Sequence, residues 1–261
     1  MNNYPIAPRD IQEPDENLKI WRYIDYYKLI DLLTNKYFPF VSPKLFTDNL
    51  EGAYTESNLN AFRNIILNGD ADTTEIQFHN LHHLHEDAHG FSKSIYVTCW
   101  HLAEIETMSM WNCYSKLEKG IAIVSTYKKL HSVLDSRFLI GKIKYYADDE
   151  ELPPNAIHRH FYKSKPYENE SEVRAIYYDS PTENREFKIE NNILKLPLEP
   201  TNLIESVIIS PNADDQFVSE VRELVEPYNI NVQQSKFGNR SNPKKLVTTR
   251  PLNCKILQKT A

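Results

Sequence analysis

Cysteine is scarce in this chain: Cys99, Cys113 and Cys254 are the only three in 261 residues. An odd, widely spaced set makes neither a disulfide framework nor a metal-ligand pattern, which points to a reducing compartment. Positive charge is not in excess either. The net charge of −6 argues against a broad electrostatic grip on nucleic acid, without excluding a local basic patch. No apolar run approaches the length of a membrane span, and Met1-Asn2-Asn3-Tyr4-Pro5 is not a basic stretch leading into an apolar one. The expectation is a cytoplasmic protein with no membrane partner. Internal repeats and low-complexity segments are lacking too, which excludes solenoid and array architectures.

What is present is an ordinary globular composition with many aromatic residues, 16 tyrosines and 11 phenylalanines, enough for a sizeable core. Residues 1–18 are polar, carry three prolines and read as an arm. The remainder, 19–261, reads as one α+β domain with a mixed, largely antiparallel sheet, flanking helices and a C-terminal βαβ unit. The pattern predicts a strand over 20–24 and a helix over 26–33 capped by Asp25, then extended chain over 37–42. Strands are expected at 94–100 and 121–126, with a helix over 103–117 between them. A short helix over 127–134, a strand over 138–146, a helical segment near 155–164 and a strand from Ser171 follow. A hairpin turns at Asn191-Asn192 between 186–190 and 193–198. The βαβ unit takes 204–210, 213–225 and 230–234. Residues 55–92, with histidines at 79, 82, 83, 85 and 89, read as an excursion from this core.

The most informative stretch runs from Lys165 to Tyr178. In an extended strand, residues two apart share a face, so Glu170, Glu172 and Arg174 are expected on one side. Neighbouring like charges raise a carboxyl pKa, whereas Arg174 pulls both carboxyls down. Two readings stay open: a solvated edge strand with an ordinary ion pair, or a functional site.

Other motifs carry their own alternatives. Between Phe40 and Glu51, the residues Ser42, Asp48 and Glu51 either line a pocket or cap the following helix. His101 and Glu104, at helical i,i+3 spacing, form a proton-shuttling or metal-binding pair or else a surface ion pair at the helix start. Met110, Trp111 and Tyr114 read as core. His85-Glu86-Asp87-Ala88-His89 matches the zinc-helix spacing in letters, but it ends at once in Gly90, so a solvated loop is favoured and no metal is assigned. The late basic residues Lys236, Arg240, Lys244, Lys245 and Arg250 contact phosphate or form a solvated terminal segment.

Several landmarks recur in order. They are Trp21-Arg22-Tyr23, Phe40-Val41-Ser42-Pro43, Phe46-x-Asp48-x-x-Glu51-Gly52, Thr98-Cys99-Trp100 and Met110-Trp111-x-x-Tyr114. Gly120-Ile121-Ala122-Ile123, Lys142-Ile143-x-Tyr145-Tyr146 and Lys163…Tyr167-x-x-Glu170-x-Glu172-x-Arg174 complete the set. With these the chain resembles, over nearly its whole length, the bacterial family catalogued as domain of unknown function 2971. It departs from that family where Thr47-Asp48 replaces the usual asparagine-aspartate pair and in the His-rich excursion. The opening strand and helix are also similar to the start of ADP-ribosyltransferase domains.

That second resemblance implies an enzyme with NAD as substrate. Arg22 would hold a phosphate of NAD, Ser125 and Thr126 would brace the site with Ser42 in the same pocket, and Tyr23 would stack on nicotinamide. Glu172 would be the essential carboxylate, stabilising the ribosyl oxocarbenium ion, with Glu170 orienting the acceptor or water. The implied role is ADP-ribosyl transfer or NAD cleavage, as in a bacterial toxin or phage-defence effector, on a protein or nucleic-acid acceptor that the sequence does not name. The alternative is a non-enzymatic binding or interaction module in which the same charges form a structural network. The oligomeric state is left open.

Overall fold

Asp25 ends a strand and starts a helix. Its carboxylate accepts from the Lys28 backbone N–H at 2.9 Å, satisfying one of the free donors of the first turn. In the computed structural model, described for residues 11–46, 48, 51–68, 94–115, 118–147, 149–153, 155, 157–180 and 187–237, the same local logic recurs along the chain. The elements are β1 (Lys19–Asp25), α1 (Tyr26–Asn35), β2 (Tyr37–Val41), α2 (Glu56–Asn68), β3 (Ile95–Leu102), α3 (Met108–Tyr114), β4 (Gly120–Thr126) and α4 (Tyr127–Ser132). There follow β5 (Phe138–Lys142), β6 (Lys144–Tyr146), β7 (Tyr162–Ser164), β8 (Glu172–Tyr178), β9 (Lys188–Glu190) and β10 (Ile193–Pro197). The run closes with α5 (Pro200–Leu203), β11 (Ser206–Ile209), α6 (Asp215–Val225) and β12 (Asn231–Gln234). This is the expected α+β class, with helices and a mixed, mostly antiparallel sheet. Among the described residues no helix is long and apolar enough to cross a membrane.

Within the fold the chain divides into two compact units. One comprises Met1–Glu13, Phe40–Cys99 and Ser136–Lys195; the other comprises Pro14–Pro39, Trp100–Asp135 and Leu196–Ala261. In the second unit β12, β11, β4 and β1 lie in that order, with the end of β3 beside β1. β11 and β12 are parallel and joined by α6, as a βαβ unit requires, and the other pairs are antiparallel. β4 has neighbours on both sides and is buried along nearly its whole length, hence its unbroken apolar run. Tyr23, Trp21, Trp111, Met110, Ala122, Val124 and Ile208 form an aromatic-rich core there.

In the first unit β8 pairs antiparallel with β5, in register Leu139↔Ile176, and also borders β3. β2 meets β3 at Val41↔Val97, and the β9–β10 hairpin continues beyond β2. Asn191 and Asn192 adopt φ of 51° and 61°, the left-handed pair of a tight hairpin turn. The core gathers Ile95, Val97, Leu139, Ile143, Phe161 and Ile176. Ile11, expected in a polar arm, packs against this core, and the Gln12 carbonyl accepts from the Lys142 N–H at 2.9 Å.

Some expected elements differ. The helix over 103–117 is only Met108–Tyr114, because the preceding backbone is bound elsewhere. Ala103 N–H donates to the Lys19 carbonyl, Ala103 O accepts from Trp21 Nε1, and Thr107 N–H donates to Tyr23 Oη. The strand over 138–146 breaks at Ile143, whose N–H donates to the Glu172 carbonyl, and β6 then pairs with β7 instead. The helical segment near 155–164 reduces to a 3₁₀ turn, His158–Phe161, ahead of β7. The histidines at 79–89 and the basic residues from Arg240 onward lie outside the described residues.

Candidate functional site

Among the described residues the densest cluster of buried charge lies in the first unit, on β8 and the segments packed against it. Arg174, in the middle of β8, is wholly buried. Its Nε donates to Glu172 Oε1 at 2.6 Å and its Nη2 to Glu172 Oε2 at 3.1 Å, a fork that residues two apart on one strand face can make. Its Nη1 serves Glu51 Oε1 and the His160 carbonyl, the latter at 2.7 Å. Lys163 Nζ pairs with Glu170 Oε2 and lies 3.5 Å from Glu172 Oε2. The Tyr145 hydroxyl accepts from the Glu172 N–H at 2.9 Å.

Burial pushes the Glu172 carboxyl up, but the Arg174 and Lys163 charges outweigh it and hold its pKa at about 2. Burial also pushes Glu51 up, and there it prevails over the pull of Arg174. One arginine thus keeps the carboxylate it grips with a fork ionised, while the carboxyl at its far nitrogen sits above its ordinary range. Lys163 is lifted above the usual lysine value because Glu172 and Glu170 outweigh the effect of burial. Burial, reinforced by Glu172, raises the Cys99 thiol well out of the range of a reactive thiolate.

The segment 51–55 is fastened to this region residue by residue. Glu51 meets Arg174, and Gly52 lies against the His160 ring with φ +72°, where an added Cβ would fall 2.6 Å from His160 Cε1. The Tyr54 ring lies 3.6 Å under the Arg159 guanidinium. Thr55 and Asn58 cap α2 reciprocally: Asn58 N–H donates to Thr55 Oγ1, and Thr55 N–H to Asn58 Oδ1. Capping therefore falls to Thr55 and Asn58, which frees Glu51 for Arg174.

The residues expected to form an NAD site are placed as follows. Glu172 and Glu170 do come together, but through Lys163 rather than along a strand. Glu170 ends a 3₁₀ turn, Lys165–Glu170, and Ser171 turns left-handed at φ 42° before β8 begins. The arginine beside them is Arg174. Arg22 belongs to the other unit, on β1, whose partners are β3 and β4, while β8 pairs with β5 and β3. Its guanidinium lies 5.1 Å from the Phe38 ring centre.

Tyr23 is buried edge-on to Trp111 at 4.9 Å, and burial raises its hydroxyl pKa to about 12, so its ring packs in the core. Ser125 Oγ donates to the Leu203 carbonyl at 2.5 Å, and Thr126 Oγ1 caps α4 by accepting from Lys129 N–H at 3.3 Å. Ser42 is buried, its N–H bonded to the Asn192 carbonyl at 2.9 Å. His101 lies in β3, not on a helix with Glu104, and its Nε2 is 3.5 Å from Thr107 Oγ1. Glu106 instead holds Trp111 Nε1 at 2.9 Å and Lys236 N–H at 2.7 Å.

Sequence reasoning gave no role to Arg159 or His160, which stand out here as buried polar groups. Their only signal in the sequence was a basic pair beside an aromatic residue in a segment read as helical. No family model matches the chain, and no curated protein matches it in sequence.

Proposed function

We propose that the chain is a non-enzymatic binding or interaction module of the family it resembles. In this reading the Glu51–Glu172–Arg174–Lys163 cluster is structural, tying segment 51–55 and the turn before β8 to the sheet. One observation carries it: Arg174 is 0% exposed and its Nε, Nη1 and Nη2 are all engaged by Glu172, Glu51 and the His160 carbonyl. A carboxylate held this way cannot turn to a ribosyl cation without leaving a buried guanidinium partly unpaired, which costs several kcal/mol.

The test incubates purified protein with NAD and follows nicotinamide release and melting temperature. The expected result is no NAD consumption and no NAD-dependent thermal shift, with Glu172→Gln melting well below the parent.

A second reading, ADP-ribosyl transfer or NAD cleavage in a toxin or defence effector, draws on one feature. Glu170 and Glu172 do form a carboxylate pair around Lys163, and the Glu170 side chain keeps 17% of its surface exposed. NAD turnover by the parent, lost in Glu172→Gln at unchanged folding, would establish this reading and discard the first.

A further inference from the structure

Arg159 and Arg174 are both wholly buried, at 1% and 0% exposure. Arg174 has two carboxylates and a carbonyl around it. Arg159 has neither: among the described residues nothing accepts from its Nε or Nη1. Its guanidinium stacks on Tyr54 at 3.6 Å, a contact that fixes the plane of the group without using its N–H donors. The next residue, His160, is equally buried and its Nδ1 is also without a partner among the described residues. Burial, with Arg174 and Arg159 adding to it, lowers the His160 pKa to about 3, so the imidazole is neutral at pH 7.

A buried cation with unmet donors is among the costliest arrangements a fold can hold, and native proteins supply it with a counter-charge. Guanidinium is the side chain best matched to planar or tetrahedral oxyanions. The surroundings are built to keep it in place. Gly52 carries no Cβ, which lets the His160 ring lie against the backbone, and Thr55, one residue after Tyr54, is anchored by Asn58.

We propose that Arg159, seated on Tyr54 with His160 beside it, is a binding site for a small oxyanion, the phosphate or carboxylate group of a metabolite. It goes beyond the reading of the Arg174 cluster and does not depend on it, because Nε, Nη1 and Nη2 of Arg174 are already engaged by Glu172, Glu51 and the His160 carbonyl. The ligand's oxygens accept from Nε and Nη1, and His160 Nδ1 adds a third donor in its Nδ1–H tautomer.

The experiment uses the full chain, at constant ionic strength, with sodium phosphate or sodium acetate compared against sodium chloride. Melting temperature and isothermal titration are read for the parent, Arg159→Met and Arg159→Lys. A hundredfold excess of ligand over its Kd is expected to raise the parent's melting temperature by roughly 5 °C. Arg159→Met should lose that rise, and Arg159→Lys, which keeps charge without the fork, should bind at least tenfold more weakly. A response to phosphate alone identifies a phosphoryl ligand, and a response to acetate alone a carboxylate. No titration heat and no shift with the parent, or an equal shift in all three proteins, would overturn the proposal and leave internal water as the partner of Arg159.

Discussion

Two arginines at the same depth in the first unit have opposite surroundings. Around Arg174, Glu51 and Glu172 supply charge and His160 supplies a carbonyl. Around Arg159 the described residues supply an aromatic face and no acceptor for Nε or Nη1. Burial alone therefore does not mark a functional cation. What separates the two is whether the fold has already completed the hydrogen bonds, since a completed set resists any exchange of partner whereas an incomplete one favours a ligand.

The contrast can be broken most forcefully at Arg174. Arg174→Ala leaves Glu51 buried without its guanidinium partner and Glu172 with Lys163 as its remaining counter-charge, and is expected to cost roughly 3–5 kcal/mol in urea unfolding. A loss below about 1 kcal/mol would mean that the cluster does not hold the unit together. Gly52→Ala comes next. It places a Cβ 2.6 Å from His160 Cε1 at φ +72°, and a cost of about 2 kcal/mol is expected. The same variant should weaken phosphate or acetate binding, because His160 must move.

A pH series probes the Arg174 cluster through its two carboxyls. Glu172 is held at about 2 against an ordinary 4.5, so its contribution is complete above pH 4.5 and is lost as pH falls toward 2. Glu51 works in the opposite sense, because its raised pKa favours the folded state once it is protonated. The net expectation is that amides of β8 lose hydrogen-exchange protection in the acid range, and that Glu172→Gln flattens this dependence. Retained protection of β8 at pH 2 would remove Glu172 from the account. The smallest effect belongs to Arg159→Met, expected within about 1 kcal/mol of the parent in chloride. There the lost contact with Tyr54 and the relief of an unpaired charge nearly cancel.

Much of the fold is legible in the sequence alone. The Asp25 cap and the Asn191-Asn192 turn rest on interactions within a few residues of each other, and the apolar run of β4 and the elements of the terminal βαβ unit show in local periodicity. The helix expected over 103–117 is shortened to Met108–Tyr114 for the opposite reason. Its first turn is taken apart by Lys19, Trp21 and Tyr23, some 80 residues earlier in the chain. The candidate site divides the same way. Glu172 with Arg174 followed from spacing on one strand, while the pairing of Glu51 with Arg174 spans a separation of 123 residues that no window contains.

Composition and local periodicity by themselves determined the α+β class, most strand and helix positions and the acidic row ahead of β8. These depend on backbone preference and on which face of an element is apolar, both properties of neighbouring residues. Tertiary structure alone decided that Glu51 joins Glu172 on Arg174, that Tyr23 packs in the core, that Ser125 bonds the Leu203 carbonyl and Thr126 caps α4, and that Arg159 is buried without an acceptor among the described residues. Hydrogen-bond completion and desolvation are set by which distant segments meet, and that is a property of the folded chain as a whole.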